Sequence, residues 1–136
     1  MTASFYIVAT PIGNLSDITY RAVEILNKVD YIACEDTRVT KVLADKYGFS
    51  AKLFDCHKFN EKERSSKIIS LLNEGKKIAL VSDAGTPAIS DPGSVLIKEL
   101  LEQGIKITSL PGACAVSTFL SLVLKVLLLI HSQDQI

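Results

Sequence analysis

The sequence predicts an α/β fold: a five-stranded, mostly parallel sheet with helices on both faces. Three observations carry that expectation. Short apolar runs alternate five times with amphipathic helical patterns, the signature of a sheet wound with crossover helices. No internal repeat interrupts the alternation. The segments that follow the apolar runs are dense in Gly, Pro, Ser and Asp, the chemistry of tight connections. Right-handed crossovers bring all such post-strand loops to one edge of a parallel sheet.

The elements follow in order. Ser4 to Ala9 reads as a first strand, apolar on both faces, and Thr10 to Leu15 as a loop marked by Pro11 and Gly13. Ser16 or Asp17 is placed to cap a helix carrying Ala22, Val23, Leu26 and Val29. Tyr31 to Cys34 is a second strand. It leads through Glu35-Asp36-Thr37-Arg38 into a helix with Val39, Val42, Leu43 and Tyr47 on one face and Gly48 as its C-cap. Lys52 to Cys56 is a weaker third strand. Asn60 then suits an N-cap with Glu63 in capping-box position, before a core face of Ile68, Ile69, Leu71 and Leu72 that stops at Gly75.

The fourth strand, Ile78 to Val81, runs into the most distinctive stretch of the chain, Ser82-Asp83-Ala84-Gly85-Thr86-Pro87-Ala88-Ile89-Ser90-Asp91-Pro92-Gly93. Strand–helix connections usually need about 2–6 residues, so this longer loop points to a ligand, the alternative being a strand–helix connection with good turn chemistry and no ligand. The helix after it spans Asp91 to Gln103, with Asp91 as cap, Pro92 in the first turn and Val95, Leu96 and Leu100 facing inward. Ile105 to Leu110 is the fifth strand, and Pro111-Gly112-Ala113-Cys114-Ala115 turns into a last helix. Four loops are chemically unusual, 10–15, 35–38, 82–93 and 111–115, and the predicted topology converges them on one cleft.

Bulk properties bound the function. A chain of 136 residues with 48% hydrophobic content makes one domain with a real core. Fifteen basic residues balance fifteen acidic ones, so net charge gives no push toward nucleic acid. Three widely spaced cysteines, with no CxxC or Cys/His ligand spacing, point to reduced thiols in a cytoplasm and to no metal site. The N-terminus has no basic stretch ahead of its apolar residues, so no signal peptide is expected. No GxGxxG follows the first strand and no P-loop occurs. From Phe119 to Ile130 the chain is almost wholly apolar, broken by Ser121 and Lys125. That run is shorter than the ~20 residues of a membrane helix and reads as a helix packed on the core or on a partner. The final residues 131–136 are polar.

Five motifs in register go further: VATPIGNL at 8–15, CEDTR at 34–38, HKFNE at 57–61, VSDAGTPAISDPG at 81–93 and LPGACA at 110–115. In this order and spacing they resemble the N-terminal domain of the bacterial small-subunit ribosomal RNA 2′-O-cytidine methyltransferases, within the tetrapyrrole methylase superfamily. The resemblance covers residues 4–120. The EDTR and SDAGTPAISDPG stretches look like the RNA-modifying branch. The porphyrin-modifying branch carries a shorter glycine–aspartate–proline loop at that place.

The resemblance implies S-adenosylmethionine as methyl donor. It implies Pro11, Ile12, Gly13, Gly85, Thr86, Pro87, Ile89, Cys114 and Ala115 as the residues around the donor. Small residues there admit the ligand, and loop amides and carbonyls can bind its polar ends. Thr86 reads equally as a turn-stabilising hydroxyl, and Cys114 as a small buried thiol. Transfer to a ribose hydroxyl needs positioning and removal of one proton. Glu35, Asp36 and Arg38 are therefore the catalytic candidates, with Arg38 also a substrate contact; their alternative is a helix cap with a surface ion pair. Lys58 and Asn60 are further substrate contacts, Lys58 on a phosphate, while Asn60 serves equally as a cap. His57 could act as a base or be structural.

The implied partner is small-subunit ribosomal RNA, with neither DNA nor a membrane. Family members continue into a second domain that forms the other wall of the cleft, whereas residues 121–136 read here as a divergent apolar tail. A truncated chain with reduced or no activity alone is the expectation, with an exposed apolar face that invites a homodimer. The alternatives are a non-catalytic fragment that binds S-adenosylmethionine or RNA or dimerises, and a tetrapyrrole methylase proper.

Overall fold

The computed structural model describes residues 4–10, 16–57, 59–82, 94–110, 124 and 126–131. Five strands, β1 (Phe5–Ala9), β2 (Tyr31–Cys34), β3 (Lys52–Asp55), β4 (Ile78–Ser82) and β5 (Ile107–Leu110), alternate with four helices. These are α1 (Tyr20–Lys28), α2 (Thr37–Tyr47), α3 (Glu61–Asn73) and α4 (Ser94–Glu102). The strands form one sheet in the order β3-β2-β4-β1-β5, and every pairing is parallel. The predicted five-stranded α/β architecture is the one observed.

The strands are apolar on both faces because both faces are covered. Phe5, Ile7, Ala33, Phe54, Ile78 and Leu80 point to one side and pack with Ile68 and Leu72 of α3 and Leu96, Ile97 and Leu100 of α4. Tyr6, Val8, Ile32, Cys34, Ala79 and Val81 point to the other and pack with Ala22 and Leu26 of α1. The division follows from handedness. The chain moves toward β3 through α1 and back toward β5 through α3 and α4, and a right-handed crossover changes face when it changes direction. β4 is central, and its neighbours β1 and β2 send their chains to the opposite face from its own. The switch point therefore lies beside the carboxyl end of β4.

Several local expectations are corrected. Helix α1 starts later than Ser16 or Asp17 would cap it: Thr19 is the N-cap, extended, with its hydroxyl accepting from the Ala22 N–H at 3.1 Å. That start still turns Ala22 and Leu26 inward. In α2 the buried stripe is Thr40, Leu43 and Ala44, while Val39 and Val42 are exposed. Thr40, Leu43 and Ala44 recur at i, i+3 and i+4 and make the face that docks, which leaves those valines outside it. Gly48 does close α2, with φ +75°. Asn60 occupies the N-cap position of α3 but makes no side-chain cap bond, so the capping box with Glu63 is not formed. In α4, Leu96 and Leu100 are buried as expected, but Val95 is exposed. β5 begins at Ile107 rather than Ile105. The expected cap at Asp91 and the helix after 111 lie outside the described residues.

Residues 124 and 126–131 are helical. Val126 is buried in the core on the α3–α4 side and Ile130 packs against it, while Leu124, Leu127, Leu128 and Leu129 are exposed. Among the described residues, no helix is long and apolar enough to cross a membrane.

Candidate active site

The four chemically unusual loops leave four neighbouring strands, β2, β4, β1 and β5, at the same end of the sheet. Ala9 is paired with Ser82, Val8 with Leu110 and Ala33 with Leu80. The row from β2 to β5 spans roughly 14 Å, three spacings of about 4.8 Å. Its described floor between β4 and β5 is Ala9, Thr10, Ser82 and Leu110, with Thr10 buried. Ala9, Thr10 and Leu110 are uncharged. The expected donor contacts Pro11, Ile12, Gly13, Gly85, Thr86, Pro87, Ile89, Cys114 and Ala115, and the expected phosphate contact Lys58, lie outside the described residues.

At the end of β2 the structure brings Asp36 and Arg38 together. Asp36 caps α2, its Oδ1 accepting from the Arg38 N–H at 2.9 Å. The Arg38 guanidinium closes a fork on the same carboxylate, Nε to Oδ1 at 3.2 Å and Nη2 to Oδ2 at 3.0 Å. The Asp36 carboxyl is held below its usual range by the Arg38 side chain first and the Arg38 N–H second. Arg38 is raised in turn by Asp36. The pair is superficial, with side chains 89% and 34% exposed, so its value is orientation more than stability. Glu35 is exposed at the end of the same strand.

At the end of β3 a second cluster forms around Asp55. The Arg64 Nη2 donates to Asp55 Oδ1 at 2.9 Å and its Nε to the Asp55 carbonyl at 2.9 Å. The Asn60 Nδ2 donates to Asp55 Oδ2 at 3.1 Å, and its Oδ1 accepts from the His57 N–H at 2.8 Å. Asn60 is thus spent on closing the β3–α3 turn, which is why it makes no cap bond. His57 Nδ1 accepts from the Phe59 N–H at 3.3 Å, and its Nε2 faces Asp55 Oδ2 at 3.3 Å. Both ring nitrogens are engaged within the β3–α3 turn. Phe59 is 85% exposed, its ring set edge-on to the His57 ring at 6.0 Å.

Two further groups escaped the sequence reading. Glu61 is only 5% exposed, and its Oε2 accepts from the Leu96 N–H of α4 at 3.1 Å. Arg64 pairs with Asp55 across nine residues, a spacing without helical or strand periodicity. In the sequence Glu61 stands out only within the HKFNE motif and Arg64 not at all; the tertiary contacts distinguish them. Cys56 is fully buried nearby. Burial, and next the charge of Glu61, push its thiol up to about 12. Among the described residues no cluster of His, Cys, Asp and Glu could hold a metal ion.

The sequence profile of the tetrapyrrole (corrin/porphyrin) methylases matches residues 4–127. The chain belongs to this family. Among its tetrapyrrole methylase relatives, ribosomal RNA small subunit methyltransferase I of Mycoplasmopsis pulmonis is 55% identical over 115 residues, covering 85% of this chain and 52% of that protein. The protein of the same name from Escherichia coli O157:H7 is 53% identical over 116 residues, covering 85% of this chain and 41% of that one. The chain therefore spans about half the length of the relatives it matches. Solved tetrapyrrole methylase structures share its fold. Cobalt precorrin-4 methyltransferase superposes with a TM-score of 0.67 at 23% identity, covering 79% of this chain and 45% of that one. Uroporphyrin-III-C-methyltransferase from Thermus thermophilus gives 0.65 at 21%, covering 82% and 48%.

Proposed function

We propose that the chain supplies the donor-binding half of an S-adenosylmethionine-dependent methyltransferase acting on the ribose 2′-hydroxyl of a cytidine in small-subunit ribosomal RNA. One observation carries the reading: the loops bearing the five family motifs leave adjacent strand ends at the switch point, in a chain over 50% identical to proteins named for ribosomal RNA methylation. The donor, when bound, supplies an electrophilic methyl group on a sulfonium. Pro11, Ile12, Gly13, Gly85, Thr86, Pro87, Ile89, Cys114 and Ala115 are the residues proposed to hold it.

The described residues take the substrate side. Arg38, oriented by Asp36 and solvent-facing, binds a phosphate. Glu35 accepts the proton that the 2′-hydroxyl loses as its oxygen takes the methyl group. Asp36 has its basicity lowered by Arg38 and contributes by holding that guanidinium. Phe59 offers an exposed ring for a base to stack on. The reduced buried thiols Cys34 and Cys56 and an RNA substrate both suit the cytoplasm.

Transfer of labelled methyl from S-adenosylmethionine to small ribosomal subunits lacking the modification tests the proposal. The expected product is a cytidine whose 3′ linkage resists alkali, because the 2′-oxygen is blocked. Label on a base, or on a tetrapyrrole offered in parallel and not on RNA, overturns it. Calorimetric titration of the chain with the donor tests the half-site separately, with micromolar binding corresponding to about −8 kcal/mol.

A further inference from the structure

The turn between β3 and α3 is tied together at both ends. The Asn60 N–H donates to the His57 carbonyl at 3.0 Å, and the Asn60 Oδ1 accepts from the His57 N–H at 2.8 Å. Phe59 stands inside this turn and is 85% exposed. A single apolar residue on a surface is ordinary; the way this one is fixed is not. Its N–H donates to Nδ1 of His57 at 3.3 Å, and its ring meets the His57 ring edge-on at 6.0 Å. The far side of the imidazole is held as well, with Nε2 3.3 Å from Oδ2 of Asp55. That carboxylate in turn accepts from Asn60 Nδ2 at 3.1 Å and from Arg64 Nη2 at 2.9 Å. Four polar side chains thus converge on one turn, and the imidazole connects them to the exposed aromatic residue.

The turn lies at the site end of the sheet. Cys34 is paired with Asp55, so the residues after β3 start about 4.8 Å, one strand spacing, from those after β2. Arg38, 89% exposed, belongs to that neighbouring segment. An exposed ring near an exposed guanidinium matches an unpaired nucleotide, the ring meeting the face of the base and the guanidinium the phosphate. We infer that His57 is a positioning residue for RNA binding: it holds Phe59 in place for an unstacked nucleobase to stack on, without itself touching the RNA. An imidazole suits the place because its two nitrogens lie on one rigid ring. One reaches the Phe59 amide, the other reaches Asp55, and the ring between them meets the Phe59 ring. A stacking group fixed in advance loses less freedom when the base arrives.

The inference rests on the RNA substrate proposed above, and fluorescence separates the two. The chain has no tryptophan, so Phe59→Trp introduces a lone indole that reports its own mobility by time-resolved anisotropy. His57→Leu in that background removes both ring nitrogens. His57→Asn keeps an acceptor within reach of the amide two residues on. Affinity for a short single-stranded oligocytidylate is measured on the whole chain alongside, with urea midpoints to follow stability. The expected result is that His57→Leu adds fast local motion of the indole and weakens oligonucleotide binding, and that His57→Asn restores both. Phe59→Ala should weaken binding roughly tenfold, the scale of one lost base stack. Should His57→Leu fail to fold, His57→Ala takes its place. An indole no more mobile in His57→Leu overturns the anchor. A mobile indole with unchanged affinity overturns the positioning role and leaves the turn's bonds to stability alone. Unchanged affinity in Phe59→Ala overturns the stacking. A wild-type chain that binds no oligonucleotide overturns the RNA reading of this rim and His57's part in it, and anisotropy still decides the anchor.

Discussion

At the scale of single residues, the site end of the sheet shows how local contacts sort similar side chains into different jobs. Asp36 and Asp55 are both carboxylates just past or at a strand end, and each is bound by an arginine: Arg38 forks the Asp36 carboxylate, whereas Arg64 bridges the Asp55 carboxylate and the Asp55 carbonyl. The Arg38 pair faces solvent while Arg64 is turned into the β3–α3 turn. Arg38→Gln should therefore leave donor binding unchanged, weaken RNA binding and lower its salt slope by about 1, as loss of one phosphate contact does. Filter binding over a salt series reads this, and an unchanged slope removes Arg38 from the RNA surface. Asp55 belongs to stability. Its carboxyl lies below the ordinary 3.8, chiefly through the hydrogen bond from Arg64. A depressed folded value stabilises the fold above the unfolded value, and the contribution is lost as pH falls below it. Urea midpoints at pH 6 and pH 3 should drop further in the wild type than in Asp55→Asn, and equal drops would contradict the pairing. Cys56 tests burial directly. With its thiol pushed up to about 12 and no exposure, it should resist iodoacetamide at pH 8 until the chain is unfolded. Mass mapping of labelled cysteines checks this.

At the scale of elements, the sequence was most legible where one local rule decided the outcome. Gly48 is the clearest case. A glycine after an amphipathic run reads as a C-cap, and it adopts φ +75° with the Gly48 N–H bonded to the Ala44 carbonyl at 2.7 Å. A Cβ there would meet nothing within 4 Å, so Gly48→Ala should cost only the left-handed backbone strain, about 1 kcal/mol. Chemical denaturation measures it, and a neutral result would mean that α2 ends differently. All five strands were legible because a parallel sheet buried on both faces leaves an unbroken apolar run. The errors arose where tertiary contacts override local preference. Val39 and Val42 have the spacing of a core stripe, yet docking of α2 on the sheet buries Thr40, Leu43 and Ala44 instead. Asn60 and Glu63 have capping-box spacing, yet Asp55 and the His57 N–H claim the Asn60 side chain. Glu61 and Arg64 act on partners 35 and nine residues away. No pattern within one helix encodes such pairs.

At the scale of the whole molecule, the open question is how the 124–131 segment relates to the sheet. Its side chains are apolar almost throughout, and composition alone does not say which of them the fold uses. The structure divides them sharply. Val126 is 2% exposed and sits in the same core cluster as Phe5, Ile78, Leu96 and Leu100, with Ile130 packed alongside. Leu124, Leu127 and Leu128, larger and more apolar, remain more than half exposed. Only the buried side of this helical segment therefore contributes hydrophobic stabilisation, and Val126 does so against α3, α4 and the sheet together. Val126→Asp places a carboxyl in the apolar cluster of Phe5, Ile78, Leu96 and Leu100. It should cost roughly 3 kcal/mol or more. Leu128→Asp, one helical step of two residues further, alters a solvent-facing position and should change stability by about 0.5 kcal/mol at most. Urea unfolding of the two variants makes the comparison within one segment, with the same introduced residue and the same change in net charge. Equal losses would show that the segment packs on another face, and no loss in either would show that it does not belong to the core. The expected inequality would establish this helix as a working part of the α3–α4 layer, stabilising the sheet from the side on which Glu61 meets α4.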